Sequence, residues 1–117
     1  MSNLRNMVRL IGNLGQDPKV NYFDNGQAKA EFAIAVNENY TDKKTGEKKQ
    51  HTEWVSIVAW DNVAQFVEKL LRKGSRIILD GKIRSESWKD KDGNTRYKTF
   101  VLLDEFQMEG AGPGQGE

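Results

Sequence analysis

The sequence predicts an all-β fold: a small closed barrel of five strands, with one helix inserted late in the chain. Three observations carry this prediction. Short runs rich in Val, Ile and Phe recur between Gly, Pro, Asn and Asp punctuation. A single segment switches from a period of two to helical spacing. A chain of 117 residues reads as one domain with a real core.

The elements follow in order. Met7–Leu14 is apolar and β-branched, and breaks at Gly15-Gln16-Asp17-Pro18. A short extended piece, Val20–Phe23, meets the turn Asp24-Asn25-Gly26. In Ala28–Asn37, alternation puts Ala30, Phe32, Ile34 and Val36 on one face. Glu38–His51 is polar and carries Lys43, Lys44, Lys48 and Lys49 around Thr45-Gly46, which reads as a protruding hairpin or loop. Thr52–Trp60 is the next strand. Val63, Phe66, Val67 and Leu70 then follow i, i+3, i+4, i+7 spacing, with Asp61 placed to cap the helix start and Gly74 to stop it. This stripe is expected to face the core. Arg76–Ser87 and Arg96–Phe106 are the last two strands, joined by a hairpin turn at Lys91-Asp92-Gly93-Asn94. Three strands, a helix and two strands is the order of the five-stranded Greek-key oligonucleotide-binding barrel (OB-fold), with its helix between strands 3 and 4. Residues 1–107 form this domain, and 108–117 read as a flexible glycine-rich tail that buries nothing.

Composition narrows the function. There is no cysteine, hence no disulfide framework and no thiolate metal site. No apolar run approaches the ~20 residues that span a bilayer, and the N-terminus lacks a signal peptide's apolar stretch. The expected setting is cytoplasmic. The net charge of +1 hides an asymmetry. Residues 104–117 hold four acids and no base, whereas the rest holds 18 bases and 13 acids. The body is basic and the tail acidic.

The most informative segment is Thr52–Trp60. Along a strand Trp54, Ser56, Val58 and Trp60 point one way, and Val55, Ile57 and Ala59 the other. The second set alone makes a good core. The first places two indoles about 20 Å apart, at ~3.3 Å per residue. Flat aromatic platforms within a basic surface suit unpaired, stackable bases. A single tryptophan is most often packing, but two on the face opposite a complete apolar face favour exposure for binding. Trp88 shares a face with Lys82, Arg84 and Glu86, and reads equally as a base platform or as a cross-strand partner of Tyr97 or Lys98. Tyr40, at the base of the lysine-rich hairpin, reads first as an anchor for that hairpin. Its lysines read first as a solvated tip, and become phosphate contacts only if the aromatics are the platform.

A catalytic reading has little support. His51 is the only histidine and lies in a polar stretch. Asp90 and Asp92 flank a turn and look like turn chemistry. Neither GxxxxGK[ST] nor HExxH occurs. A metal site would need an all-carboxylate cluster. No catalytic residue, metal or other cofactor is expected.

Several ordered motifs carry a family resemblance: VRLIGNLGQDP at Val8–Pro18, TGEKKQHTEW at Thr45–Trp54, LLRKGSRIILDGKIRSESW at Leu70–Trp88, and Asp92-Gly93 followed by Arg96-Tyr97. Over about Asn6 to Val101 the chain resembles the bacterial single-stranded DNA-binding proteins (SSB). The resemblance implies base-stacking aromatics at Tyr40, Trp54, Trp60 and Trp88. Tyr40 stands where the family usually has tryptophan, and Trp60 where it usually has phenylalanine. It implies backbone contacts from Lys43, Lys49, Lys73, Arg84 and Arg96. It also implies a homotetramer that wraps single-stranded DNA, and a nucleoid-associated role in replication, recombination and repair. The family's acidic Pro-Phe tip, which recruits replication and repair enzymes, has no counterpart before Glu117, so such recruitment is not expected of this chain. Two other readings remain open at this point: a primosome accessory protein acting mainly through protein contacts, and a nuclease on an OB-like barrel, which would need clustered acids and a metal.

Overall fold

The structure is a computed structural model and describes residues 4–109. Seven elements run β1 (Val8–Leu14), β2 (Lys19–Tyr22), β3 (Ala28–Thr41), β4 (Lys48–Trp60), α1 (Asp61–Leu70), β5 (Arg76–Lys89) and β6 (Thr95–Met108). The sheet order is β1-β5-β6-β4-β3-β2, and β1 also pairs with β3, which closes the barrel. β1 achieves this by switching partner. Val8 to Asn13 ladder onto β5, while Asn13 and Leu14 also reach Ala35 and Ile34 of β3. A short parallel seam, Ile57 beside Val101 and Val58 beside Leu102, joins β4 to β6. Five long strands therefore form the barrel, as expected. The short piece after Pro18 is a strand in its own right, β2, laid along β3 from Lys19–Glu31 to Tyr22–Ala28.

The core is where alternation put it. Ala30, Phe32 and Ile34 meet Ala59, Ile57 and Val55 across the β3–β4 ladder, and the first two pairs are buried. Leu14, Ile77, Leu79, Val101 and Leu103 complete the inner surface. Ile83 has the same parity as Ile77 and Leu79 yet is exposed; it lies beyond Gly81, where the β1 ladder on β5 ends. One extra residue in β6 makes a bulge opposite Asp80 and Gly81.

The helix departs from expectation at both ends and on its face. Trp60 occupies the N-cap position with extended backbone and no side-chain cap bond. Asp61 is instead the first helical residue, at φ 53°, and its carboxylate accepts the Ala28 N–H at 3.3 Å. The helix stops at Leu70 rather than running on to Gly74. Leu71 leaves it in extended conformation and is wholly buried, so core burial ends the helix. The Arg72 guanidinium donates to the Glu68 and Leu71 carbonyls, satisfying groups that a further turn would have used. Gly74, at φ 89°, turns the chain into β5 and donates its N–H to Leu14 O at 2.9 Å. The apolar stripe is only partly inward. Ala64 and Val67 are buried, whereas Phe66 and Leu70 are exposed along a groove shared with Phe106 and Met108. The line that faces the barrel is Ala64, Val67 and, beyond the helix end, Leu71, which leaves Phe66 and Leu70 to one side of it.

Two pairs of strands continue beyond the barrel as arms. The β3–β4 ladder extends to Thr41–Lys48, and the β5–β6 ladder to Lys89–Thr95. The polar segment 38–51 is thus mostly paired strand, with a turn only at 42–47. Its ladder supplies the backbone bonds that a loop would have left to water. β6 runs two residues past Phe106, and the Glu109 N–H still donates to Arg76 O at 2.8 Å. The tail expected over 108–117 otherwise lies outside the described residues.

Candidate nucleic-acid interface

The site begins with register. Residues directly opposite each other in a ladder share a face. Lys29 faces Trp60, Glu31 faces Val58, Ala33 faces Ser56 and Ala35 faces Trp54. Val58 sits beside Leu102, which faces Lys82. Arg84 faces Phe100, and Trp88 faces Arg96. One outer surface, spanning β3, β4, β6 and β5, therefore carries Trp54, Trp60, Arg84, Trp88 and Arg96. It lies opposite the core.

The three indoles are solvent-accessible on this surface. Trp54 is 60% exposed, Trp88 48% and Trp60 37%. They are held differently. Trp54 lies against Gly15 of the β1–β2 loop, where a Cβ would meet its Cζ3 at 2.6 Å. A bare backbone is what lets the indole rest there. The same loop fixes the start of β5, because Asp17 Oδ1 accepts the Lys73 N–H at 2.7 Å. Trp60 is flanked by Phe23, with ring centroids 6.3 Å apart and planes tilted by 30°, and by the Lys29 Nζ, 5.4 Å from its ring. Val58 between the two tryptophans is buried.

Tyr40 is placed differently. It faces Lys49 on the β3–β4 arm and has the parity of Phe32 and Ile34, so it stands on the other face of the ribbon from Trp54. It is 52% exposed. Here the ring continues the line of the core face where there is no longer a core to cover it. Tyr40, Lys48 and Lys49 border a shallow groove on that arm.

The five expected cations fall into two groups. Lys49 is 3.3 Å from Asp42, and Arg96 Nε is 2.8 Å from Asp90. The side chains of Lys43, Lys73 and Arg84 form no ion pair among the described residues. The two paired carboxylates organise the arm turns. Asp42 accepts the Lys44 N–H at 2.8 Å, and its backbone bonds close the turn to Gly46 and Glu47. Asp90 accepts the Asp92 and Asn94 N–H groups at 2.9 Å. Each carboxyl is held below its ordinary range. The Lys44 N–H and then Lys49 do so at Asp42, and Arg96 and then the turn amides at Asp90. Asp90 is therefore turn chemistry, as its sequence context implied.

His51 Nε2 meets Glu53 Oε1 at 3.0 Å on an exposed strand. No three His, Asp or Glu side chains converge as metal ligands among the described residues. No helix among them is long and apolar enough to cross a membrane.

Sequence reasoning missed Gly15, Phe23 and Lys29 as parts of this surface. Gly15 read as a turn former, Phe23 as the end of a minor extended piece, and Lys29 only as the start of the face of Ala28–Asn37 opposite its apolar one. Only register and loop placement bring them to the tryptophans.

The chain is 41% identical over 105 residues to single-stranded DNA-binding protein 1 of Xylella fastidiosa (strain 9a5c), covering 90% of this chain and 77% of that protein. Among solved structures, the Plasmodium falciparum SSB complex with ssDNA superposes with a TM-score of 0.80 at 30% identity, covering 88% of this chain and 93% of that one. The single-strand binding protein family matches residues 5–109. The chain belongs to the single-strand binding protein family.

Proposed function

We propose that this chain binds single-stranded DNA with little sequence preference, and coats and protects it during replication, recombination and repair. The observation that carries the reading is the single outer surface holding Trp54, Trp60 and Trp88 exposed beside Arg84. Every base offers a π-face, so such a surface accepts any sequence. Stacking contributes about 1–3 kcal/mol per well-stacked base. Trp54, Trp60, Trp88 and Tyr40 are the stacking residues of this proposal. Lys43, Lys49, Lys73, Arg84 and Arg96 meet phosphates, which makes affinity fall with salt. The protein acts without catalysis. Family membership and the ssDNA in the related complex support the reading.

One face of this size holds few nucleotides, and wrapping a longer strand needs several. The working unit proposed is a homotetramer with closed symmetry. Titration of tryptophan fluorescence with poly-dT at several salt concentrations tests binding. Strong quenching that weakens with salt is expected, and unchanged emission at saturating poly-dT would remove the reading. Light scattering should give four times the 13.3 kDa chain mass. Labelled ssDNA incubated with the protein and magnesium should stay intact.

A further inference from the structure

The aromatic surface does not stop at Trp60. We propose that Phe23, on the turn between β2 and β3, is a further base-contacting residue, and that single-stranded DNA leaving Trp60 continues over this turn. The inference rests on the binding role proposed above for Trp60.

Phe23 is 45% exposed, an apolar ring left on the surface at a position where the fold does not use it as core. Its centroid lies 6.3 Å from that of Trp60. This is within the ~4.5–7 Å of an aromatic pair in contact, so no base enters between the rings. They form one continuous ledge instead. Trp60 is the least exposed of the three tryptophans, and part of the ring surface it gives up is covered by Phe23. A base arriving at Trp60 therefore meets the edge of Phe23, and the next base along the strand meets its face.

The turn that presents the ring is well fixed. The Phe23 N–H donates to Gln27 O at 2.8 Å, and the Gly26 N–H returns to Phe23 O at 2.9 Å. Asn25 Oδ1 accepts the Gln27 N–H at 3.0 Å. An aromatic on a pre-formed turn loses little freedom on binding. Lys29 supplies the charge. It lies directly across the ladder from Trp60, with its Nζ over the indole and 3.9 Å from Glu31. When a base takes the indole face, this flexible side chain swings to the phosphate beside it.

The test compares Phe23→Leu with Phe23→Tyr in the full chain. Leucine keeps apolar bulk and removes the ring; tyrosine keeps the ring. Phe23→Leu should weaken dT-oligomer binding about 5- to 10-fold, and Phe23→Tyr should restore it, as expected for one stacked base. The slope of log affinity against log salt should not change, since no charge is removed. Irradiating 5-iodouracil ssDNA with the unmodified protein should attach DNA to the tryptic peptide 20–29. Wild-type affinity in Phe23→Leu, an equal loss in Phe23→Tyr, or the absence of that adduct would each overturn the proposal. A protein that fails to bind ssDNA at all would instead overturn the function proposed above. Thermal unfolding of both variants separates a missing stacking partner from a damaged fold.

Discussion

In the barrel half of β3, Ala28, Ala30, Phe32 and Ile34 are buried on alternate positions; from Asn37 to Thr41 every residue is exposed. The same change occurs in β4, β5 and β6. Yet the ladders continue unbroken to Thr41–Lys48 and Lys89–Thr95. Barrel and arm are one set of strands under two regimes. In the barrel, side chains on one face are fixed by packing. In the arms, backbone pairing and the turn carboxylates of Asp42 and Asp90 hold the shape, and both faces are left for other uses. Substitutions should therefore cost stability on the barrel's inner face, and affinity on its outer face and in the arms.

The largest expected effect is in the barrel. Ile57→Ala removes a fully buried side chain opposite Phe32 and should destabilise by about 2–5 kcal/mol in a denaturant melt. Tyr40→Ala on the arm should leave the melt within about 0.5 kcal/mol. Comparable destabilisation by the two would erase the distinction.

Next come the tryptophans of the outer face. Trp54→Ala should weaken ssDNA binding by about 1–3 kcal/mol with the fold retained, measured by fluorescence titration and thermal melting together. Gly15→Ala should reproduce part of that loss, because its methyl would sit 2.6 Å from the indole and displace it. A Gly15→Ala protein with wild-type affinity would show that the seat does not matter.

Smaller effects sort the cations. Removing Lys43, Lys73 or Arg84 should flatten the slope of log affinity against log salt by ~0.7 for each phosphate no longer neutralised. Removing Lys49 or Arg96 should change it less, since Asp42 and Asp90 already compensate those charges in the free protein. Equal slopes for all five variants would contradict the grouping.

The smallest effect is acid sensitivity. Asp90 titrates below its ordinary value of 3.8 when folded, so it stabilises its turn above that value and ceases to as pH falls through the lowered one. Hydrogen exchange at the Asp92 and Asn94 amides should be protected equally, after correction for intrinsic rates, at pH 7 and pH 5. Protection should drop only below about pH 3.8. Asp90→Asn should remove this acid dependence.

The barrel was legible because its signals are local: period two in Ala30–Val36 and Val55–Ala59, helical spacing after Trp60, and turn residues at Asn25-Gly26 and Asp92-Gly93. The tryptophan face was legible for the same reason, since alternation alone separates Trp54 and Trp60 from Ile57. What alternation could not give was extent. Segment 38–51 is polar on both faces, so its pairing leaves no hydrophobic pattern to read. The helix end was hidden because Leu71 continues the apolar composition while leaving the helix for the core. Gly15, Phe23 and Lys29 join the surface through contacts between strands distant in sequence, and one sequence holds no trace of register.

Barrel closure has a consequence for synthesis. β1 emerges first, but its long ladder runs from Val8–Gly81 to Asn13–Arg76, on a strand made only after the helix. Until then β3 can hold only Asn13 and Leu14 of it. Loop closure over so long a separation is slow. On the ribosome, the inward residues of β1 wait unpaired while the β3–β4 hairpin forms locally. Until β5 emerges the nascent chain therefore keeps one sticky apolar strand largely exposed, and barrel closure has to wait for its beginning to return.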